Sequence, residues 1–300
     1  MARPNVPPAS RRVEVLLSSE DPAGRRGHVQ RRLIVNADDF GRSPSINEAV
    51  IRAHREGILT TASLMVNEPA CDEAVALAKE NPQLGVGLHL ALLCGRSALP
   101  PEKIPGLVNA RGEFTNSPVG AGLSYFFRPA LRAQLEAEIA AQFERFRATG
   151  LKLDHVNGHL HLHLHPVVFG VLMRRAEQWG LTHLRLTRDP FWLNARLARG
   201  AWLYRTSHAV IYHLLSARSR SSLLQRGIKF TPRVFGLLQN ARVDEEYVTR
   251  LFPVLPEGDS ELYSHPSLDE FRPEFEALIS PAVRDLVRRQ NIELIRYQDL

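Results

Sequence analysis

From residue 33 onward, short apolar runs alternate with amphipathic stretches at helical spacing, and few folds absorb that alternation. Strand candidates lie at 33–37, 61–66, 84–90, 152–158, 182–187, 227–231, 260–264 and 292–296. Helical patterns fill most of the intervals. Ser45 and Glu48 read as a capping box, Ile46, Val50, Ile51 and His54 follow at helical spacing, and Gly57 reads as the stop. Further helices are predicted from Pro129 to Gly150 and from Pro166 to Gly180. Strands joined by helices imply a parallel sheet. At 300 residues its natural closure is an α/β, TIM-like (β/α) barrel, a single domain over 31–300, with an open doubly wound sheet as the alternative. No Gly-x-Gly-x-x-Gly follows the first run and no P-loop is present.

Two stretches break the rhythm. Residues 91–128 are rich in Gly, Pro and Ser and read as a long loop over one end of the barrel. Residues 189–226 read as a helical insertion that mixes Trp192, Trp202, Tyr204, Tyr212 and Leu214 with Arg196, Arg199, Arg205, Arg218, Arg220 and Arg226. Such a mixture suits a peripheral membrane contact. It equally suits a helix packed on the barrel with a solvated basic face.

The net charge of +6 is mostly a terminal feature. Residues 1–32 carry +4, leaving +2 for the rest, so no nucleic-acid-binding core is expected. Cys71 and Cys94 are far apart and form no Cys-x-x-Cys pair, which suits a reducing, cytoplasmic compartment. No apolar run reaches the length of a membrane span, and the N-terminus lacks the apolar segment of a signal peptide. Residues 1–30 are expected to form a disordered leader, with upstream sequence from an overlong start as the alternative.

Chemistry concentrates at the ends of the apolar runs. The first closes on Asn36-Ala37-Asp38-Asp39-Phe40-Gly41. Adjacent carboxylates at the mouth of a buried strand repel each other and lose hydration. A divalent cation offsets both effects, with one carboxylate as ligand and the other free as a base. An Asx-type turn with Asp39 as helix cap is the plainer alternative, but it leaves the histidines unexplained. His89 ends the third run, His159 follows the fourth, and His265 follows Glu261-Leu262-Tyr263-Ser264. The tract from His155 to His165, read as extended chain, points His155, His159, His161, His163 and His165 to one side. They cannot all bind one ion, so His161 and His163 are candidates to face substrate; a metal-buffering tract is the low-complexity alternative. One Asp and two His around a divalent ion leave positions for water and substrate. With a second carboxylate as base and a distal His as acid, these are the parts of metal-assisted amide hydrolysis.

The blocks Ile34-Val35-Asn36-Ala37-Asp38-Asp39-Phe40-Gly41, Gly87-Leu88-His89-Leu90, His155-Val156-Asn157-Gly158-His159-Leu160-His161 and Ser264-His265-Pro266 resemble the YdjC/ChbG-like carbohydrate deacetylases over residues 31–300. The resemblance implies a distorted (β/α) barrel that binds a divalent ion, Mg or Zn, and removes acetyl groups from N-acetylated sugars. It implies Asp39, His89 and His159 as metal ligands, Asp38 as general base and His265 as general acid. Arg185 or Arg188 would hold the base or the substrate. Many members carry Asp-Ser-His where this chain has Asn157-Gly158-His159.

The insertion after residue 189 is most similar to the hopanoid-biosynthesis-associated (HpnK-type) branch. That implies an N-acetylglucosaminyl hopanoid lipid as substrate and a place at the inner membrane surface. Deacetylation of soluble chitooligosaccharides, a barrel phosphoesterase or isomerase, and a non-catalytic glycolipid binder are the alternatives.

Overall fold

The computed structural model describes residues 30–198, 200–239 and 241–300. The expected leader therefore lies outside the described residues, Gln30 apart. Seven parallel strands form the sheet: β1 Arg31–Phe40, β2 Thr61–Leu64, β3 Gly85–Leu90, β4 Leu153–Gly158, β5 Val234–Phe235, β6 Gly258–Ser264 and β7 Ile292–Ile295. Their order is β4-β3-β2-β1-β6-β5. β1 is the axis: residues 31–37 pair with β6, and on the other edge residues 31–34 pair with β7 while 36–40 pair with β2. Leu33 to Phe40 are all buried, as a strand covered on both faces requires.

The parallel α/β class stands, but closure into a barrel does not follow the sequence expectation. The runs at 182–187 and 227–231 form no ladder and are held by single bridges, Val156 to Leu184 and His183 to Lys229. Pro232 brings no N–H to continue the second run. The sheet is a curled, open half-barrel.

Helices α1 Pro44–Glu56, α2 Cys71–Glu80, α3 Pro118–Phe127, α4 Arg132–Ala148, α5 Pro166–Trp179, α6 Phe191–Leu197, α7 Trp202–Gln225, α8 Glu245–Leu251, α9 Arg272–Ile279 and α10 Pro281–Arg289 complete the fold. α1 starts two residues earlier than expected, because Ser43 accepts from the Ile46 N–H and Pro44 opens the helix. Gly57, just past its end, is forced by packing: a Cβ there would lie 2.2 Å from the Leu278 carbonyl oxygen. α5 ends at Gly180 in the left-handed conformation.

The 91–128 stretch is more ordered than a loop. It contains α3 and two antiparallel bridges, Arg96 to Glu113 and Val108 to Phe114. Buried Glu138 of α4 accepts from the Ala98 and Leu99 amides at 2.7 and 2.9 Å, and Gln142 bonds both backbone groups of Ala91. The insertion is α6 and α7, stapled by buried Arg205, whose guanidinium bonds Asn194 and the Ala198 carbonyl. No helix among the described residues is long and apolar enough to cross a membrane.

Candidate metal centre

The end of β1 departs from regular geometry where the chemistry begins. Its register against β2 shifts between Ala37 and Phe40, and Asp39 takes a left-handed φ of 65°. Aspartate tolerates that conformation better than most residues. The shift sends consecutive carboxylates to different partners instead of leaving them side by side.

Asp39 meets the histidines. Its Oδ1 lies 3.0 Å from His159 Nδ1 and 3.3 Å from His89 Nε2, and its Oδ2 accepts from Arg42 at 2.8 Å. All three residues are buried, and their ligand atoms lie within 4.8 Å of one another. The tautomer of His89 follows from its other side. Asn157 commits its amide N–H groups to Asp38 and Ser63, so its Oδ1 accepts from His89 Nδ1 at 2.7 Å. A neutral His89 then turns the Nε2 lone pair toward an Asp39 oxygen. Two acceptors facing each other need a proton or a cation between them. One monodentate carboxylate and two imidazoles could hold a divalent ion, with positions left for water and substrate. Burial pushes the Asp39 carboxyl up, but the neighbouring His159 and His89 outweigh it and hold it well below the usual range.

Asp38 turns to Arg185. The guanidinium grips it with two bonds, Nη1 to Oδ2 at 2.7 Å and Nη2 to Oδ1 at 2.9 Å. The same guanidinium reaches Glu261 Oε1 through Nε at 2.9 Å and Nη2 at 2.6 Å. Tyr297 donates its hydroxyl to the other Glu261 oxygen. Asn36 and Asn157 complete Asp38 at 2.8 and 3.0 Å. Burial raises the Asp38 carboxyl, but Arg185 and His89 win and hold it far below the ordinary carboxylate value. Because Arg185 is divided between two carboxylates, the trio keeps one net negative charge.

The other candidates are placed as follows. His265 is half-buried beside Tyr263 and Phe271, and its backbone N–H donates to Glu274. The histidine tract is not extended. It forms a 3₁₀ turn over His159–Leu164, with Leu160 and His161 at positive φ, so its side chains splay apart. His161 packs edge-on against Tyr212 and Tyr263, and its buried Nδ1 has no partner among the described residues. His163 donates from Nε2 to the Arg185 carbonyl, and burial pushes it down to about 3, so it is neutral. His165 caps α5, accepting from the Val167 N–H and donating to the Gly122 carbonyl. His155 is tied to Asp154 and Ser63 and stacks on Tyr297. Arg188 is exposed and lies away from Asp38, against the insertion.

Sequence reasoning missed Glu261, Tyr297, Asn36, Ser63 and Arg42. One signal was present: an acid inside the apolar run ending at Ser264 is buried and must be paired.

A family model described as YdjC-like protein matches residues 32–289. The chain belongs to this family. Relatives called carbohydrate deacetylase include one from Brevibacillus brevis, 43% identical over 148 residues, covering 49% of this chain and 56% of that one. One from Geobacillus stearothermophilus is 44% identical over 151 residues, covering 50% and 58%. A chitooligosaccharide deacetylase from Salmonella paratyphi B is 35% identical over 162 residues, covering 54% and 61%. The chain thus spans a little over half the length of these relatives. A solved structure titled putative cellobiose-phosphate cleavage protein, from Enterococcus faecalis, superposes with a TM-score of 0.68 over 90% of this chain and 98% of its own, at 24% identity. That likeness supports the fold.

Proposed function

We propose that this YdjC-like protein is a divalent-metal-dependent N-deacetylase acting on an N-acetylglucosamine-type glycoside. The observation that carries the reading is the Asp39–His89–His159 triplet set directly beside an Arg-held carboxylate, Asp38. A cation held by those three residues, Mg or Zn, would supply a Lewis acid for the acetamide carbonyl and an acidified water.

The chain's own residues do the rest. Asp38 accepts the proton of the attacking water. With its carboxyl so far below the usual range it is a weak base, suited to a water already acidified. Arg185 fixes the plane of that carboxylate, and Glu261 with Tyr297 fixes Arg185. His265, partly open to solvent, delivers a proton to the departing sugar amine. His161 lines the substrate side.

The substrate we favour is an N-acetylglucosaminyl hopanoid lipid, met at the inner face of the membrane by a cytoplasmic, peripherally bound enzyme. The insertion supports this. Trp192, Leu203, Val210 and Leu214 are exposed on it, and no acidic residue occurs between Pro190 and Val243. Apolar surface with unopposed positive charge suits an anionic bilayer. Soluble chitooligosaccharides are the alternative, supported by the name of the Salmonella relative. Acetate release by metal-reconstituted protein, offered the glycolipid and N,N′-diacetylchitobiose in parallel, separates the two. Release from chitobiose alone removes the lipid and membrane parts, and release from neither removes the deacetylase.

A further inference from the structure

Behind Asp38 a buried column of polar side chains crosses the sheet, and the reaction proposed above does not use it. It runs from Asp154, near the start of β4, through His155 to Ser63 on β2, and ends on Asn36 and Asn157. None of the five is more than 2% exposed. Strand β3 gives up side chains to admit it. A Cβ at Gly85 would lie 2.9 Å from an Asp154 carboxylate oxygen, and one at Gly87 would lie 2.5 Å from His155 Cε1. Glycine weakens a strand interior, so two of them here mark space kept for other atoms. Tyr297 stacks on the same imidazole, with ring centres 4.3 Å apart.

Counting donors and acceptors fixes where each proton lies. Ser63 Oγ accepts from the Asn36 amide at 3.0 Å and from the Asn157 amide at 2.8 Å, which takes both of its lone pairs. Its single proton is left for His155 Nε2 at 2.9 Å. That nitrogen must therefore carry a lone pair, and the imidazole proton sits on Nδ1, donated to Asp154 Oδ2 at 2.9 Å. The competing acceptor for the hydroxyl is Asn36 Oδ1 at 3.4 Å, which already takes the Thr61 hydroxyl at 2.8 Å. A hydroxyl turned that way would swing a lone pair toward His155 and leave one amide without its acceptor. The two amides spend their second N–H groups on Asp38 Oδ1, at 2.8 and 3.0 Å, and Asn157 Oδ1 accepts from His89 Nδ1 at 2.7 Å. The direction set at Asp154 therefore reaches the far nitrogen of His89.

We propose that His155 is a positioning residue for the metal centre: held as the Nδ1–H tautomer by Asp154, it takes the Ser63 proton and so orients the Asn157 amide that aims His89 Nε2 at the ion. This rests on Asp39, His89 and His159 holding an ion, and not on what is hydrolysed there.

The first measurement is the His155 tautomer, read from the imidazole nitrogen NMR shifts of the labelled full chain. A proton on Nδ1 and none on Nε2 is expected; a proton on Nε2 overturns the proposal. The second is zinc affinity, read by competition with a chromophoric chelator. Ser63→Ala and His155→Leu should each weaken it by about tenfold, the smaller end of what a group behind a metal ligand is worth. The double variant should bind no more weakly than either single one, because both remove the same link. His155→Gln, whose amide oxygen reaches toward the position of Nε2, should recover most of the affinity, a rescue that a packing defect would not show. Where His155→Leu does not fold, the tautomer and Ser63→Ala decide. Wild-type affinity in both single variants, or losses that add in the double variant, overturns the proposal. A wild type that binds no zinc removes the metal-centre reading and this proposal together. The expected losses of affinity without any acetate release would support the proposal and remove the deacetylase reading alone.

Discussion

Replacing Arg185 with Met tests whether the site is organised around one shared cation. Arg185, Asp38 and Glu261 are 0%, 2% and 0% exposed, so their charges are compensated by one another and not by water. With the guanidinium the trio carries one negative charge; without it, two carboxylates share a dry space. Removing one partner of a buried pair costs about 3–5 kcal/mol. At about 2–4 °C per kcal/mol this lowers Tm by roughly 6–20 °C. The sign against pH is the sharper part. In the wild type Asp38 sits below its unfolded value because Arg185 outweighs burial. Its contribution to stability is present above the ordinary carboxylate range and lost as pH falls through the depressed value. In Arg185→Met, burial and Glu261 both push the Asp38 carboxyl up, so the folded state binds the extra proton and stability falls as pH rises. The Tm gap between the two proteins must therefore widen from pH 4 to pH 8. The acid limb of kcat/KM for acetate release must move upward in parallel, since Asp38, the base proposed above, would accept a proton only when ionised. A gap independent of pH, with an unmoved acid limb, would refute the shared-cation account.

Other outcomes follow from the same contacts. His89→Ala or His159→Ala should strip divalent cation from the purified protein, read by elemental analysis; full occupancy in either would reject that residue as a ligand. Asn157→Asp keeps an acceptor for His89 Nδ1 but sets a like charge where an amide now donates to Asp38 at 3.0 Å. Its acid limb should rise and its turnover at neutral pH should fall, and an unchanged pH profile would contradict the amide assignment. Asp189→Asn should leave stability nearly unchanged at about pH 3.5 and raise it increasingly up to about pH 8. The folded carboxyl lies near 7, above its unfolded value, so the wild type loses stability as pH rises between the two. The full shift is worth at most about 4 kcal/mol, and penetrating water reduces it. A Tm difference that does not grow with pH would show that Asp189 is not buried as a charge.

Much of the architecture was legible because its signals are local. A continuous apolar run ending in two acids marks a buried parallel strand, and β1 is that strand. The triplet was legible because each member sits at or just past a strand end, where parallel sheets collect their chemistry. What stayed hidden depends on long-range partners. Glu261 meets Arg185 across 76 residues and Tyr297 across 36, and no spacing rule announces such links. Ser43 and Ser45 show a contest of local rules. The Ser-x-x-Glu pattern favoured Ser45, but Pro44 fits the first turn of a helix, so the residue before it became the cap and Ser45 went to the Leu268 amide.

The histidine tract is the clearest case of a pattern overruled by backbone. Alternating His and Leu imply a strand with all imidazoles on one face, yet β4 stops at Gly158 because the chain must turn into α5. The turn is made by Leu160 and His161 at positive φ, without a glycine, which stores strain of about 1–3 kcal/mol per residue. Such strain persists only where surrounding contacts over-determine it. Here Tyr212, Tyr263 and the Arg185 carbonyl grip the turn from three sides. The consequence is a division of labour that regular extended chain would not give. His159 goes to Asp39, His163 anchors the backbone of the residue that holds Asp38, His165 caps a helix, and His161 meets Tyr212 of the insertion. Asp39 achieves the same separation at the end of β1, where one left-handed residue assigns adjacent carboxylates to two tasks. In both places the strained residue is the one that points its neighbours apart, so relaxing either turn would merge functions that the site needs to keep distinct.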